Sequence, residues 1–398
     1  MGGRAAGGTV FRRVAVGAIT LATLLSPTAT ALAGGATPAA GSPWTRLTGP
    51  NPGPFTNLLS GVAAISDSDV WGIGFFQDAR ATDHTLAEHW DGASWSVVSS
   101  PDAGQASQLI AAAAVATDDV WAVGVEETKI DAQQRSLTEH WDGSSWTVVP
   151  SPNPPTAGSF TELTAVTAVA TDDVWAAGWF ENVARNTTDP LFEHWDGTSW
   201  TIVPGGATTA QFAFLWGISA ASADDIWAVG TDQSTATYRT FVEHWDGSRW
   251  TVVNTPNAGG SNELKAVTAL AADDAWLVGS SNTEGTAKTL TEHWDGTSWS
   301  IVTSPNQGTG QNHLYGATSL RGDDVWAVGS FADPRTGAQR SLTEQWDGSA
   351  WTIVQSPNAG TSVTLFAADT VGTSSVWVAG TAIQPPQLRT FFLRTVRG

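Results

Sequence analysis

The sequence predicts an all-β fold: a seven-bladed β-propeller with four antiparallel strands in each blade, whose last blade is closed by the N-terminal strand. Three observations predict it. A tryptophan-centred unit of about fifty residues occurs seven times, every unit divides into short strand-like segments, and the segment missing from the last unit stands near the start of the chain. Repetition at this period is typical of solenoids and propellers, in which neighbouring units share one core.

The repeat is marked by a tryptophan that follows a small or branched aliphatic residue. Its copies lie 49 to 54 residues apart, at Trp71, Trp121, Trp175, Trp227, Trp276, Trp326 and Trp377. Seven copies predict seven blades.

Each unit contains four segments of strand character in a constant order. The first is an Ala/Val/Thr run such as Leu163 to Val169, and the second carries the marker tryptophan and ends at a glycine, as in Val174 to Gly178. The third ends in Glu-His-Trp, a tight turn with Asp-Gly follows, and the fourth begins with another tryptophan, as in Trp146 to Val149. These segments are short, rich in β-branched and aromatic residues, and without helical spacing. Four antiparallel strands make one propeller blade.

The two ends of the chain predict how the ring closes. Six units carry third-strand and fourth-strand tryptophans five residues apart, but the seventh stops after Phe391 to Arg394 without a fourth strand. The missing segment matches Trp44 to Asn51, which corresponds position by position to Trp146 to Asn153. The N-terminal strand is therefore expected to complete the last blade and leave no half-blade open to strand addition.

These motifs resemble those of a known family. The Asp-Asp-Val-Trp-Ala-Val-Gly strand and the Glu-His-Trp-Asp-Gly-x-x-Trp-Thr-Val-Val segment are similar to a kelch-type blade over nearly all of residues 44–398. One glycine and a four-residue turn replace the usual Gly-Gly pair and longer turn, so the chain is identified as kelch-like, and WD-repeat propellers resemble it less. The resemblance implies a binding scaffold, as in most members, or an oxidase, as in a few. The copper-radical oxidases of this fold need a cysteine joined to a tyrosine, and this chain has no cysteine.

The first 33 residues have the features of a secretory signal peptide. They contain three arginines and no acid, the apolar run Val14 to Leu25, and Ala31-Leu32-Ala33 before a glycine. A run of about twelve residues is too short to span a bilayer, which needs about 20. We therefore expect cleavage after about Ala33, a short linker over residues 34–42, a single propeller over residues 43–398, and a secreted, monomeric protein with no membrane span.

Composition excludes several classes of function. Without cysteine, the chain has no disulfide, thiolate metal site or cysteine nucleophile. Its formal charge is −20, and removal of the three leader arginines makes it −23. A surface this acidic repels phosphate backbones and anionic lipids, so nucleic acid is not expected as a partner.

Residues that recur in every unit are expected to build the scaffold, because one site does not need seven copies. Of the 22 tryptophans, 20 recur on the second, third or fourth strands and are expected to form the core between blades. The Glu-His pairs, such as Glu139-His140, are neighbours on a strand and point to opposite faces. We therefore interpret them as hydrogen-bonded blade residues, with Gln345 replacing the histidine in the sixth unit.

The paired acids, from Asp118-Asp119 to Asp323-Asp324, fall in the turn between the first and second strands. Aspartate is favoured in turns because it bonds to its own backbone. Calcium binding is the alternative, although none of the pairs has the ligand spacing of a calcium loop. No metal or cofactor is assigned to this chain.

Topology predicts which face of the ring is free to vary. Turns between strands one and two and between strands three and four share one face, where the sequence is nearly constant. The loops between strands two and three and between blades share the other face, and they differ in length and composition, as in Trp179 to Pro190 and Phe331 to Gln339. Binding residues concentrate on variable loops held by a rigid scaffold, so this variable face is expected to bind the partner.

One position of the repeat varies while its neighbours do not. A leucine stands twelve residues before each marker tryptophan, and Gly or Ala stands two residues after that leucine. The residue between them is expected on the innermost strand, near the mouth of the central channel: Ser60, Ile110, Thr164, Trp216, Lys265, Tyr315 and Phe366. Trp179 and His313 are expected to lie toward the same face.

We therefore predict a binding site of Trp216, Lys265, Tyr315 and Phe366, flanked by Trp179 and His313, with no catalytic residue. An aromatic arc with one lysine suits stacking on sugar rings or gripping a peptide side chain. The structural alternative is that these aromatic residues only plug the channel.

A secreted noncatalytic module that binds a glycan or an extracellular protein is the first functional hypothesis. The alternative is a carbohydrate-active or lyase-type enzyme, for which the titratable residues outside the repeat pattern are His84, His313, Lys265, Tyr238 and Tyr315. A pocket that joins His313 to two arginines or carboxylates would favour the enzyme.

Overall fold

A computed structural model describes residues 42–128, 131 and 133–396. The predicted signal peptide and nearly all of the predicted linker lie outside the described residues. Within them, 28 strands form seven four-stranded antiparallel sheets, which confirms the predicted seven-bladed propeller.

Each blade is built from its first strand outward. The first strands are β2 (Asn57–Ser66), β6 (Ala106–Ala116), β10 (Ala157–Ala170), β14 (Ala213–Ser222), β18 (Ser261–Ala271), β22 (Asn312–Arg321) and β26 (Ser362–Val371). The second strands are β3 (Asp69–Gln77), β7 (Asp119–Glu127), β11 (Asp173–Asn182), β15 (Asp225–Asp232), β19 (Asp274–Thr283), β23 (Asp324–Ala332) and β27 (Ser375–Gln384).

The outer half of each blade is a longer third strand and a short edge strand. The third strands are β4 (Asp83–Trp90), β8 (Gln134–Trp141), β12 (Thr187–Trp195), β16 (Arg239–Trp245), β20 (Thr286–Trp294), β24 (Gln339–Trp346) and β28 (Gln387–Val396). The edge strands are β5 (Trp95–Val98), β9 (Trp146–Val148), β13 (Trp200–Val203), β17 (Trp250–Val252), β21 (Trp299–Ile301), β25 (Trp351–Ile353) and β1 (Trp44–Leu47). Edge strands this short offer little backbone to a foreign strand.

The ring closes as predicted. Each first strand contacts the first strands of both neighbouring blades, including β2 with β26, so these seven strands form the innermost ring. The N-terminal strand β1 pairs antiparallel with β28, with Trp44 opposite Thr395. On the inner ring, the Asp369 carboxylate of blade seven accepts a hydrogen bond from the Ala64 amide of blade one at 2.8 Å. The first and the last strand of the described chain, β1 and β28, thereby belong to one blade.

Tryptophans hold successive blades together. The second-strand tryptophan of each blade meets the edge-strand tryptophan of the next blade nearly edge to face, as in Trp71 with Trp146, whose ring centroids are 5.1 Å apart. Trp44 makes the same contact with Trp326 at 5.0 Å, so the closing strand joins blades six and seven. All second-strand and edge-strand tryptophans are buried, as expected.

The third-strand tryptophans depart from the expected fully buried core. Only Trp90 is buried, and the other five are half-buried. The indoles of Trp90, Trp141, Trp195, Trp245 and Trp294 each donate a hydrogen bond to a turn carbonyl on the constant face, as Trp141 Nε1 does to Thr117 at 3.1 Å. They cap the blades at the surface because the polar edge of the ring needs a partner.

The glutamate of each Glu-His pair is buried between blades. All six are fully buried: Glu88, Glu139, Glu193, Glu243, Glu292 and Glu344. A hydroxyl of the preceding blade donates to some of them, as Ser100 does to Glu139 at 2.6 Å and Ser151 to Glu193 at 2.7 Å. Burial nevertheless raises the pKa of Glu139 and Glu193 to about 8.

These glutamates predict that the fold loses stability as the pH rises from about 5 to about 8. Burial also raises the pKa of Glu292 and Glu344 to about 8 and of Glu243 to about 7, against an ordinary value of 4.5. A carboxyl group whose pKa is higher in the folded state than in the unfolded state stabilises the fold fully below the unfolded-state pKa. This stabilisation is lost as the pH rises through the folded-state pKa. We expect the Tm, followed by circular dichroism, to fall across this interval.

The matched variant is Glu139→Gln combined with Glu193→Gln, which removes two of the titrating groups and should flatten the pH dependence. A Tm that rises between about pH 5 and about pH 8 would contradict burial of these carboxyls.

Candidate binding site at the channel mouth

A β-bulge interrupts every first strand at the same place. The pairing with the second strand shifts register between the repeated leucine and the Gly or Ala two residues later, as between Leu215 and Gly217. The bulged residues are those of the variable position: Ser60, Ile110, Thr164, Trp216, Lys265, Tyr315 and Phe366. A bulge releases its residue from the ladder and redirects its side chain. The bulge of each blade lies near the start of the innermost strand, beside the loops of the variable face.

The repeated glycine of the second strand is required by this bulge. A Cβ on Gly230 would lie 1.8 Å from the Phe214 carbonyl oxygen, and one on Gly124 would lie 2.0 Å from the Gln108 carbonyl oxygen. The small residue after the bulge has a different role, because a Cβ on Gly61 would lie 3.0 Å from the Ala111 Cα of the next blade. The backbone at the mouth is therefore constant, while the bulged side chain differs from blade to blade.

The bulged side chains divide into two groups. Ser60 and Thr164 bond back to the scaffold, through hydroxyls that donate to carbonyls of the next blade, the Thr164 Oγ1 to Leu215 O distance being 2.8 Å. Trp216 and Lys265 instead contact each other, with Lys265 Nζ 4.4 Å from the centroid of the indole.

The larger side chains continue around the mouth. Tyr315 and Phe366 have ring centroids 5.7 Å apart, and both are half-buried. The four residues predicted as neighbours thus form two contacting pairs, in blades four and five and in blades six and seven.

A second set of residues lies next to the bulged positions, and the sequence prediction included only one of them, His313. It is formed by the residue before each repeated leucine: Leu58, Gln108, Glu162, Phe214, Glu263, His313 and Thr364. Comparison of that position across the seven units would have revealed the same variability. We call the two sets together the channel mouth.

Each residue of the second set meets the bulged residue of its own blade in blades four to six. The Phe214 and Trp216 rings lie nearly parallel, 7° apart, with centroids at 5.8 Å. The His313 and Tyr315 rings are 12° apart at 5.9 Å. Between these two aromatic pairs, the Lys265 ammonium lies 3.2 Å from a Glu263 carboxylate oxygen.

Trp179 supports the mouth from behind. It is only 6% exposed and packs edge to face on Phe214 at 5.2 Å. Directly across the β10–β11 ladder lies Glu162, which is 2% exposed and has a carboxyl oxygen, Oε1, without a hydrogen-bond partner. Burial raises the pKa of Glu162 to about 8, and an interaction with the Trp179 side chain offsets part of that effect. The Glu162 carboxyl is consequently largely protonated at neutral pH.

His313 lies in a different environment from the one that would favour an enzyme. Its Nδ1 is 3.1 Å from Ser280 Oγ, and its Nε2 is 3.2 Å from Gln311 Oε1. Burial lowers its pKa, while Glu263 and Lys265 shift it in opposite directions. His313 therefore lies beside one carboxylate and one ammonium, and its hydrogen bonds go to neutral groups.

His84, another titratable residue considered for catalysis, is far from this cluster in the repeat, on blade one. Its Nδ1 lies 2.7 Å from Asp102 Oδ2, and this hydrogen bond raises its pKa. Arg185 pairs with Asp189 of its own hairpin at 3.1 Å. In the described part of the chain, no group of three or more His, Asp or Glu side chains is arranged to hold a metal ion.

The repeated histidines are confirmed as hydrogen-bonded blade residues. Each contacts the aspartate that begins the second strand of its blade, as His140 Nε2 does Asp119 Oδ1 at 2.8 Å, so that acid bonds to a neighbouring strand as well as lying at the turn. In blade six, Gln345 Nε2 donates to Asp324 Oδ1 at 2.7 Å. The carboxamide reproduces the imidazole's bond without its proton chemistry.

His140→Gln should therefore change the free energy of unfolding by less than about 0.5 kcal/mol, because the chain already uses glutamine at this position. His140→Ala should cost about 1 to 2 kcal/mol, since it leaves a buried Asp119 oxygen without its donor. Urea unfolding of the two variants measures the difference. Equal losses for glutamine and alanine would show that the hydrogen bond is not what the repeat preserves.

The fold and the site together define the class of protein. It is a seven-bladed propeller whose blades are alike except at the channel mouth, where aromatic residues differ from blade to blade. No protein-family model matches the chain, and no curated protein matches its sequence, so kelch-like membership stays a prediction. Among residues 42–128, 131 and 133–396, no helix has the length and hydropathy needed to cross a membrane.

Solved structures with a similar fold include two structures of YCF48 and one of a polysaccharide lyase. YCF48 bound to D1 peptide matches with a TM-score of 0.56 at 14% identity, over 89% of this chain and 97% of that one. YCF48 from Cyanidioschyzon merolae matches with a TM-score of 0.53 at 13% identity, over 89% and 98%. A polysaccharide lyase, the ulvan lyase bound to -[GlcA(1-4)Rha3S]-, matches with a TM-score of 0.53 at 11% identity, over 84% and 93%. At these identities the likeness shows the fold alone.

Proposed function

We propose that this protein is an exported, noncatalytic recognition module that binds a glycan or a protein outside the cell at its channel mouth. The observation that carries the proposal is that the bulged residues and their neighbours before the leucine differ most in size and chemistry among the positions of the inner ring. Positions that are alike in every blade hold the blades together, whereas positions that differ from blade to blade are not needed for that packing. Propellers of similar fold have been solved with a peptide or a saccharide bound, which are the two ligand classes proposed here.

The surroundings of the mouth support a binding role. Aromatic residues with a polar rim are typical of recognition sites, because large rigid side chains bury much area at low entropic cost. Phe55 and Val183, at 52% and 60% the most exposed of the large apolar side chains, lie on loops of the same variable face. Exposed apolar side chains beside a cleft extend the surface that a partner can cover.

The test is a screen of the mature chain against glycan and peptide arrays, followed by incubation of each hit with the protein and mass spectrometry of the products. A recognition module gives saturable, stoichiometric binding and returns the ligand unchanged. Turnover of a bound saccharide would replace this proposal with the lyase-type alternative.

A further inference from the structure

The charges at the channel mouth are compensated within the site. Lys265 is the only cation among the fourteen residues of the two sets, and Glu263 neutralises it at 3.2 Å. Glu162 is buried in an environment that favours its neutral form, and His313 likewise. These fourteen residues therefore present polar groups but no unpaired charge.

The position of Lys265 argues against a cationic ligand. Its ammonium lies over the Trp216 ring and against the Glu263 carboxylate. An aromatic face beside a carboxylate is the usual recognition site for a lysine or arginine side chain. Here the protein's own lysine occupies it, so a basic peptide would have to displace an internal ion pair.

The electrostatics also argue against an anionic ligand. The chain carries a formal charge of −20, and a field of that sign lowers the local concentration of anions. Lys265 offers little compensation, because its charge is already paired. Neither sign of charge is favoured at the mouth.

The remaining groups suit hydroxyl-rich molecules. The two near-parallel ring pairs, Phe214 with Trp216 and His313 with Tyr315, are separated by the Lys265–Glu263 pair. Trp216 Nε1 donates to the buried Thr231 Oγ1 at 3.2 Å and His313 contacts the buried Ser280, so hydroxyls behind the rings fix their planes. Aromatic planes on either side of an internally paired lysine and glutamate match the apolar faces and hydroxyl edges of sugar rings.

We propose that the channel mouth binds an uncharged glycan, with sugar rings packed on the aromatic pairs of blades four and six. This inference rests on the proposed function and narrows its ligand class. The Lys265–Glu263 pair sets the specificity by giving the centre of the mouth no net charge.

The experiment compares matched oligosaccharides with the mature chain by isothermal titration, alongside an array of uncharged glycans and a peptide array. One pair is chitohexaose and its deacetylated, cationic form, and another is cellohexaose and its sulfated, anionic form. We expect at least one uncharged glycan to bind, and its charged counterpart to bind at least about tenfold more weakly. The Kd of the uncharged ligand should change less than about twofold between about 50 and about 300 mM salt.

Glu263→Gln supplies a gain-of-function arm. Removal of the carboxylate leaves the Lys265 ammonium unpaired, so the variant should bind the sulfated oligosaccharide about tenfold more tightly than the wild type does. Glu181→Gln removes one charge from the same face outside the mouth and should leave that affinity unchanged. No gain with Glu263→Gln would overturn the specificity role of the ion pair.

Failure of this inference is distinguishable from failure of the proposed function. If only charged glycans or peptides bind, and Trp216→Ala abolishes that binding, the uncharged-glycan inference is overturned and the recognition site stands. Binding that is unchanged in Trp216→Ala would overturn the site itself. If no uncharged glycan of the array binds, the inference is likewise rejected.

Discussion

Replacement of Trp216 and Tyr315 by alanine should weaken ligand binding by about 1,000-fold while the propeller stays folded. The two residues come from different blades and belong to different aromatic pairs, so the double variant removes stacking surface from both sides of the Lys265–Glu263 pair. Central aromatic anchors contribute about 2 kcal/mol or more each to recognition. The two sites do not contact each other directly, so their effects should be close to additive. Affinity is measured by titration calorimetry and folding by circular dichroism.

The matched control is Ile202→Ala, which truncates an apolar side chain that is 37% exposed on the edge strand β13. It should leave the affinity within about twofold of the wild type, because this edge strand lies outside the channel mouth. If the double variant unfolds, Trp216→Phe tests the contribution of the indole to binding while an aromatic side chain is kept at this position. A ligand that binds all these variants equally well would show that the aromatic residues only plug the channel.

Trp44→Ala should destabilise the protein by about 3 to 5 kcal/mol, the range for loss of a buried tryptophan. Trp44 is 3% exposed and packs on Trp326 of the preceding blade, so it couples the closing strand to both blades six and seven. Its loss removes one of seven equivalent contacts around the ring, at the only blade made from two distant parts of the chain. Urea unfolding gives the free energy directly.

Arg46→Ala is the control for this prediction, since Arg46 lies on the same short strand with its side chain exposed. It should cost less than about 1 kcal/mol. Equal losses for the two variants, or a negligible loss for Trp44→Ala, would mean that the N-terminal strand is not needed to hold the ring closed.

The scaffold was predictable because the same packing contacts between blades recur seven times. Spacing of one tryptophan gave the number of blades, and the match of Trp44 to Trp146 gave the closing strand, which the β1–β28 pairing confirms. Gln345 predicted a structural role for the histidines, and its bond to Asp324 bears this out. Blade seven extends the pattern, since Arg394 occupies the histidine position and stacks on Trp377 at 4.9 Å.

The site was only partly predictable, because its geometry depends on a local irregularity. Variation at the position of Trp216 was visible in the sequence, but the bulge that redirects this side chain has no distinctive residue of its own. The sequence indicates the bulge only indirectly, because the second-strand glycine is repeated where the bulged backbone leaves no room for a Cβ. Glu162 and Phe214 were missed because only one variable position of the first strand was compared across all seven units.

The central claim is that repeated positions hold the ring together and individual positions recognise the ligand. A saturation mutagenesis scan of the displayed propeller, read for folding and for binding of an identified ligand, tests it most directly. We predict that substitutions at the repeated tryptophans and second-strand glycines reduce folding, whereas those at Trp216, Lys265 and Tyr315 reduce binding at normal folding levels. Binding losses clustered on the turns of the constant face, such as Asp142-Gly143, with a tolerant channel mouth, would contradict the claim.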